Sequence, residues 1–216
     1  MILEIQKDIF ESNTWIIRDI KRKWFFNKNL DYDVLEKEPD IWVLKFMHKN
    51  HIVCIARHPS MWHYCWYVWV PKNNMFFWKW ESELIDIWSR EKIDGIPFNW
   101  NYFWLLATNS EDLDNWKIRL DMLVNVHGWI TYSHSELPVN NDIISAVIEF
   151  NLNDYWYFWF DCGHCNDEQP FEIDIDEQVK SLFNHVSFKN NTKTYKDFSF
   201  VKGQVLNLSD QLHNFD

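Results

Sequence analysis

The segment "DCGHCND", residues 161–167, sets Asp161, His164 and Asp167 three residues apart. On a loop leaving a strand, a carboxylate–imidazole–carboxylate set can converge on a divalent metal or flank a polar ligand. Zn, Mn and Fe suit such donors, and an open coordination position would activate water. His164 and Asp167 are the metal-ligand candidates. The plainer reading of Asp161 is a strand-end carboxylate that satisfies loop amides. Cys162 and Cys165 form a C-x-x-C pair, but no second pair accompanies them and no βαβ setting surrounds them, which argues against a structural zinc and a thioredoxin-like redox site.

A second group lies near residue 130. His127 precedes Gly128, and Thr131 and Ser133 would share its face if the stretch is extended. An imidazole there can serve as acid, base or ligand, or can simply hold a strand end by hydrogen bonding. A Ser133–His127–Asp161 triad can be drawn, but it lacks a nucleophile elbow, and neighbours along one strand aim poorly at each other. Arg57, His58 and His63 flank a further strand candidate. Arg57 is shaped to clamp a phosphate or carboxylate in bidentate fashion; the alternative is a surface ion pair in an acidic protein.

The elements that must position these groups read mostly as strands. "IWVLKFMHKNHIVCIAR", residues 41–57, is two β-rich runs broken by a polar tripeptide, which predicts a hairpin around Lys49. "MWHYCWYVWV" is a third strand, closed by Pro71. "LDMLVNVHGWITYS" (120–133) and "YWYFWFD" (155–161) are the most strand-like stretches, rich in β-branched and aromatic residues. Residues 1–30 place Ile2, Ile5, Ile9 and Phe10, then Trp15, Ile16 and Ile20, near helical spacing. That predicts an N-terminal helix with the basic run 18–23 on its solvated face. Residues 81–118 are ambiguous, with "ESELIDIWSREK" (81–92) open to a short helix, while "DEQVKSLFNHV" (176–186) places its apolar residues on one helical face. Near the C-terminus Phe198, Val201, Val205, Leu208 and Leu212 recur at spacings of 3, 4, 3 and 4, and Thr194 and Asp197 have capping-box spacing. The expected fold class is α+β: a mostly antiparallel sheet with packing helices at the N- and C-termini.

Composition narrows the function classes. A net charge of -11 disfavours a surface that tracks nucleic-acid phosphates. No run approaches the roughly 18 apolar residues of a membrane span. The opening "MILEIQKDIFESN" has acidic residues where a secretory signal would be basic and apolar. Four cysteines without scaffold spacing suit a reducing cytoplasm. The anomaly is 15 Trp against 4 Gly. Ordinary usage would put about fifteen glycines in a chain of this length.

Three segments, "RHPSMWHYCWYVWVPKN" (57–73), "VHGWITYS" (126–133) and "YWYFWFDCGHCND" (155–167), resemble a family of small uncharacterised proteins of bacteria and their phages. The tail "YKDFSFV…LSDQL" is similar too. The family pattern runs R-H-P…G-H-x-x-G-Y-V-x-V-P, then H-G-G-[IL]-T-[YF]-S, then W-[WY]-F-G-F-D-C-x-H-x-G-D. The match spans 57–212 with gaps, within an expected single domain of 1–216 whose first 50 residues lie outside it. Trp62, Trp66, Trp129 and Trp159 stand at the pattern's glycines, and Trp69 and Trp78 are assigned with them. Trp156 matches a tryptophan, and Cys165 does not match. The departures all run one way, which suggests a UGA codon that means glycine in the source but has been read as tryptophan. The competing reading is a Trp-rich protein that stacks bases or sugars on indoles.

Together these readings predict a small polar-ligand site of nucleotide-like chemistry. Its catalytic candidates are His127, Asp161, His164 and Asp167. Arg57, His63, Thr131 and Ser133 are the ligand contacts, with metal-assisted hydrolysis if a divalent ion binds. The alternative is a non-catalytic phage-type binder that sequesters a ligand or blocks a host protein. A third reading is an interaction protein with an aromatic interface.

Overall fold

The structure, a computed structural model, describes residues 3–7, 15–19, 38–39, 41–58, 63–86, 117–135, 152–163, 167–168 and 194–214. Its centre is a seven-stranded sheet built from β1 (Leu3–Lys7), β2 (Trp15–Asp19), β3 (Val43–His48), β4 (His51–Arg57), β5 (Tyr64–Pro71), β8 (Tyr132–His134) and β9 (Tyr155–Asp161). The strand order is β1-β2-β3-β4-β5-β9-β8, and every pairing is antiparallel. Two small ribbons accompany it: β6 (Leu84–Asp86) with β7 (Lys117–Arg119), and β10 (Asp167–Glu168) with β11 (Thr194–Tyr195). A one-turn helix α1 (Leu120–Leu123) follows β7, and the long helix α2 (Phe198–Asn214) closes the chain. The class is α+β.

The central strands are apolar on both sides, so they lack the clean alternation of a half-solvated sheet. Along β5, Trp66, Val68 and Val70 turn to one face, and Cys65, Tyr67 and Trp69 to the other. On β9 the same split sends Trp156, Phe158 and Phe160 to the first face and Tyr157 to the second. The first face is covered by α2, whose Val201, Val205, Leu208 and Leu212 are fully buried against it. That is the apolar stripe read from the sequence. Gly203 lies off this stripe, and a β-carbon there would meet nothing within 4 Å. Gly203→Ala is therefore expected to raise stability by about 0.5–1 kcal/mol through lower chain entropy in the unfolded state. Urea titration checks this, and a loss of stability would contradict the placement.

The β3–β4 hairpin turns at Lys49 and Asn50, with φ of 50° and 63°, and His48 pairs with His51. Two successive left-handed residues make the turn whose twist matches the flanking strands. Helix α2 begins four residues after Thr194, which pairs in β11 instead. Asp197 is the cap: its Oδ1 accepts the Phe200 N–H at 2.7 Å. Glu38, from the far end of the chain, accepts the Phe198 N–H at 3.0 Å. A carboxylate from each side thus serves the positive end of the helix.

A polar seam clamps α2 to the hairpin. Ser209 Oγ donates to the His48 carbonyl at 3.1 Å, so it must accept from His51 Nδ1–H at 3.0 Å. His51 Nε2 in turn accepts from the Asn74 amide at 3.3 Å, because Asn74 Oδ1 is taken by the Phe76 N–H at 2.9 Å.

Four expectations need correction. Residues 3–7 and 15–19 are paired strands, not helix: Leu3 to Lys7 run opposite Asp19 to Trp15. Isoleucines three and four apart over so short a stretch fit either element, and β-branched content favours the strand. Residues 84–86 are strand as well, and the stretch 120–133 is a helical turn followed by irregular chain, with only 132–133 in a strand. Two successive left-handed residues, Gly128 and Trp129, break any extended run there. Thr194 is not the helix cap. The expected helix at 176–186 lies outside the described residues.

Candidate functional site

Antiparallel register gathers the chemistry-bearing residues at one end of the sheet. Arg57, at the end of β4, pairs with Tyr64 at the start of β5, and Cys65 pairs with Asp161 at the end of β9. Strand β11, just before α2, meets the same end through Tyr195, whose hydroxyl accepts from Arg57 Nη1 at 2.9 Å.

His127 follows α1 on irregular chain. Its backbone N–H donates to Gln204 Oε1 of α2 at 2.8 Å. Its ring stands edge-on to Phe160 and Phe200, with centroids 5.7 and 5.2 Å away. Nε2 faces both oxygens of Asp167, at 2.9 and 3.2 Å. A carboxylate only accepts, so the proton lies on Nε2 and the lone pair of the neutral ring on Nδ1. The Asp167 side chain is 1% exposed and that of His127 26%. A carboxylate buried that deeply needs charged or donating partners. Lys196 supplies the second, with Nζ at 3.8 Å, while lying over the Phe200 ring. The parallel pairing of β10 and β11, with Asp167 opposite Thr194, brings the lysine there.

Asp161 belongs to a different neighbourhood. Strand alternation turns it away from Phe160, to the sheet face opposite α2, and there it keeps company with His63. Its Oδ1 accepts the Gly163 N–H at 2.7 Å and lies 4.0 Å from His63 Nε2. This is strand-end capping of a loop amide. Gly163 suits the close approach: a β-carbon would sit 2.8 Å from Asp161 Oδ1 and 3.1 Å from His63 Cε1, so those side chains would have to shift. His63 is buried and stacks on His58 with centroids 4.9 Å apart.

The structure therefore brings His127 and Asp167 together and sets Asp161 and His63 apart on the far face. Cys162 feels both carboxylates. Burial first, then the negative charge of Asp167, Cys65 and Asp161, pushes its thiol well above the usual range. Burial raises Cys65 likewise and Cys54 to about 12. All three are buried free thiols, poorly suited to act as nucleophiles.

Arg57 is 3% exposed and faces protein. Nη2 donates to Glu38 Oε2 at 3.0 Å, and the guanidinium lies 3.7 Å over the Tyr64 ring, whose hydroxyl also donates to Glu38 at 2.7 Å. Burial alone would lower the Arg57 pKa, but Tyr64, Tyr195 and Glu38 together hold it above the ordinary value. Ser133 is fully buried. Its Oγ donates to Glu81 Oε2 at 2.7 Å and accepts the Glu81 N–H at 3.0 Å, so Ser133, His127 and Asp161 do not meet as a triad. Thr131 Oγ1 donates to the Trp159 carbonyl at 3.3 Å. His164 lies outside the described residues. Among those described, no three His, Cys, Asp or Glu side chains converge to hold a metal ion, and no helix is long and apolar enough to cross a membrane.

A cavity of about 190 Å³ is lined by Arg119, Asp121, Met122 and the residues that follow His127 in the chain, 128–131; neither His127 nor Asp167 lines it. Arg119 grips Asp121 with two hydrogen bonds, Nε at 3.1 Å and Nη2 at 2.6 Å. Sequence reasoning passed over Arg119, Asp121 and Lys196. For Lys196 a signal existed, since it lies in the tail segment of the family resemblance. Arg119 and Asp121 carry none beyond ordinary surface charge.

The tryptophans divide into groups. Trp78 and Trp129 have φ of 64° and 69°. Trp66, Trp69 and Trp159 lie in β5 and β9, where the extended backbone admits any residue. Nε1 of Trp66 is buried with no hydrogen-bond partner among the described residues. Trp156 Nε1 donates to the Lys79 carbonyl at 2.7 Å. Trp62 is outside the described residues. No protein-family model, curated protein or solved structure matches this chain.

Proposed function

We propose that this chain binds a small polar ligand, of nucleotide-like chemistry, at the His127–Asp167 couple and the cavity lined by the residues that follow His127. The observation that carries the reading is a buried carboxylate holding one ring nitrogen of a partly exposed imidazole, with the next residues of the chain, from Gly128 on, lining a hollow edged by an arginine–aspartate pair. With Nε2–H held by the carboxylate the imidazole has a set tautomer and orientation, the arrangement by which an outer carboxylate readies a histidine for polar-ligand chemistry. The resemblance to small bacterial and phage proteins, and the free buried cysteines, support a cytoplasmic setting. Hydrolysis assisted by a divalent ion through Asp167 and His164 is the catalytic form of this reading. Capture of the ligand without turnover, as a phage binder would do, is the other. A host protein as partner belongs to the second form.

Thermal melts with a panel of nucleoside mono-, di- and triphosphates, each with and without Mn²⁺, test it. A ligand at 100 times its Kd should stabilise the native state by about 2.7 kcal/mol. His127→Ala should abolish that shift. Recovery of hydrolysed nucleotide, together with stoichiometric metal that is lost in His164→Ala, identifies an enzyme. Ligand recovered intact identifies a binder. A panel in which no compound moves the melt, or in which His127→Ala shifts as the parent does, rejects the site.

A further inference from the structure

We propose that positions 78 and 129 are glycines in the protein as its source makes it, and that each tryptophan written there is a UGA codon meaning glycine but read as tryptophan. The inference stands on backbone geometry and does not depend on what the cavity binds.

Among the described residues, four non-glycines have positive φ: Lys49, Asn50, Trp78 and Trp129. The first two form the two-residue hairpin turn, which demands left-handed backbone and which Asn tolerates. The other two are tryptophans, the bulkiest side chain there is, in a region that a β-carbon resists. Burial does not compensate. Trp78 is 57% exposed and Trp129 41%, among the largest exposures of any apolar side chain described. Trp129 also follows Gly128, whose φ is 72°, so the chain makes two left-handed steps in a row, for which glycine is the natural residue at both.

Trp156 is the internal contrast. It lies in a regular strand, is 1% exposed, and its indole N–H is satisfied. It has every mark of a tryptophan that belongs. The residue census agrees with this division, since glycine is short by about the number of tryptophans in excess. One decoding error accounts for both the census and the strained positions; two independent substitutions to the same residue would not explain the census.

The consequence reaches the candidate site. Trp129 forms part of the cavity wall beside Gly128, and glycine in its place removes an indole from the mouth of the hollow. The ligand space of the source protein is then larger than the space the tryptophan chain presents.

Two experiments decide it. Peptide mass spectrometry of the protein from cells that carry the gene should show both positions lighter by the tryptophan–glycine difference, with position 156 unchanged. Tryptophan at 78 and 129, or UGG codons in the gene, would overturn the proposal. In recombinant protein, Trp78→Gly and Trp129→Gly should each raise Tm by about 2–4 °C or more. Trp78→Ala and Trp129→Ala should gain clearly less, because alanine keeps the β-carbon that the backbone resists. Trp156→Gly should lower Tm. Equal melting of the glycine and alanine variants would show that losing an exposed indole, rather than relieving left-handed backbone, is what matters, and the proposal would fall.

Discussion

Replacing Arg57 with alanine is expected to cost about 3–5 kcal/mol of stability, the usual penalty for removing one partner of a buried ion pair. The Arg57 and Glu38 side chains are each 2% exposed, so neither charge can turn to water when the other is lost. Glu38 is also committed elsewhere. One oxygen takes the Tyr64 hydroxyl and the other the Phe198 N–H, at the start of α2. An unneutralised Glu38 would pull on a strand and a helix together. Glu38→Gln should do less harm than Glu38→Ala, because an amide oxygen can still accept from the helix terminus. Urea unfolding with an unchanged m-value is the measurement. A loss below about 1 kcal/mol for Arg57→Ala would place this pair with exposed salt bridges, in conflict with its burial.

Asp167→Ala is expected to unsettle the site more than any other single change. Without the carboxylate the Nε2–H of His127 loses the acceptor 2.9 Å away, and the ring should populate both tautomers. ¹⁵N-edited NMR of the imidazole reads this directly: one Nε2–H form in the parent, exchange averaging in the variant. Loss of an orienting partner of this kind typically weakens ligand or metal affinity by about 10–100-fold. Asp167→Asn separates the two contributions, since its amide oxygen can still accept from Nε2–H while the charge facing Lys196 is gone. The tautomer should then survive, and any fall in affinity would belong to the charge. An unaltered imidazole spectrum in Asp167→Ala would mean that the 2.9 Å contact does not govern the ring.

What could be read from the sequence followed how strongly each element is constrained by its own residues. Strand β9 coincides with "YWYFWFD", and α2 with the stripe from Val201 to Leu212, because burial on both faces or along one stripe leaves a dense local pattern. The hairpin at Lys49 was legible from polar residues between two apolar runs. The N-terminal strands were not, because apolar residues in two segments of only five residues can imitate helical spacing. The site was legible in part. Residue types marked His127 and Asp167, but 40 positions separate them, and no spacing rule at that distance shows that they touch. Arg57 was read as a clamp for a ligand's phosphate or carboxylate or as a surface ion pair; that it would instead be buried against the protein's own Glu38, 19 residues away, depends on packing. Asp161 turned to the opposite face because strand alternation overrides nearness along the chain.

The seam through Asn74, His51, Ser209 and the His48 carbonyl has a direction: every proton in it points the same way, from amide to imidazole to hydroxyl to carbonyl. Shift the last helix by a single residue and this one-way street meets oncoming traffic or a dead end. The helix therefore has one parking place. It can detach from the sheet, but it cannot creep along it, so exchange of its inner amides should report one concerted departure rather than gradual peeling.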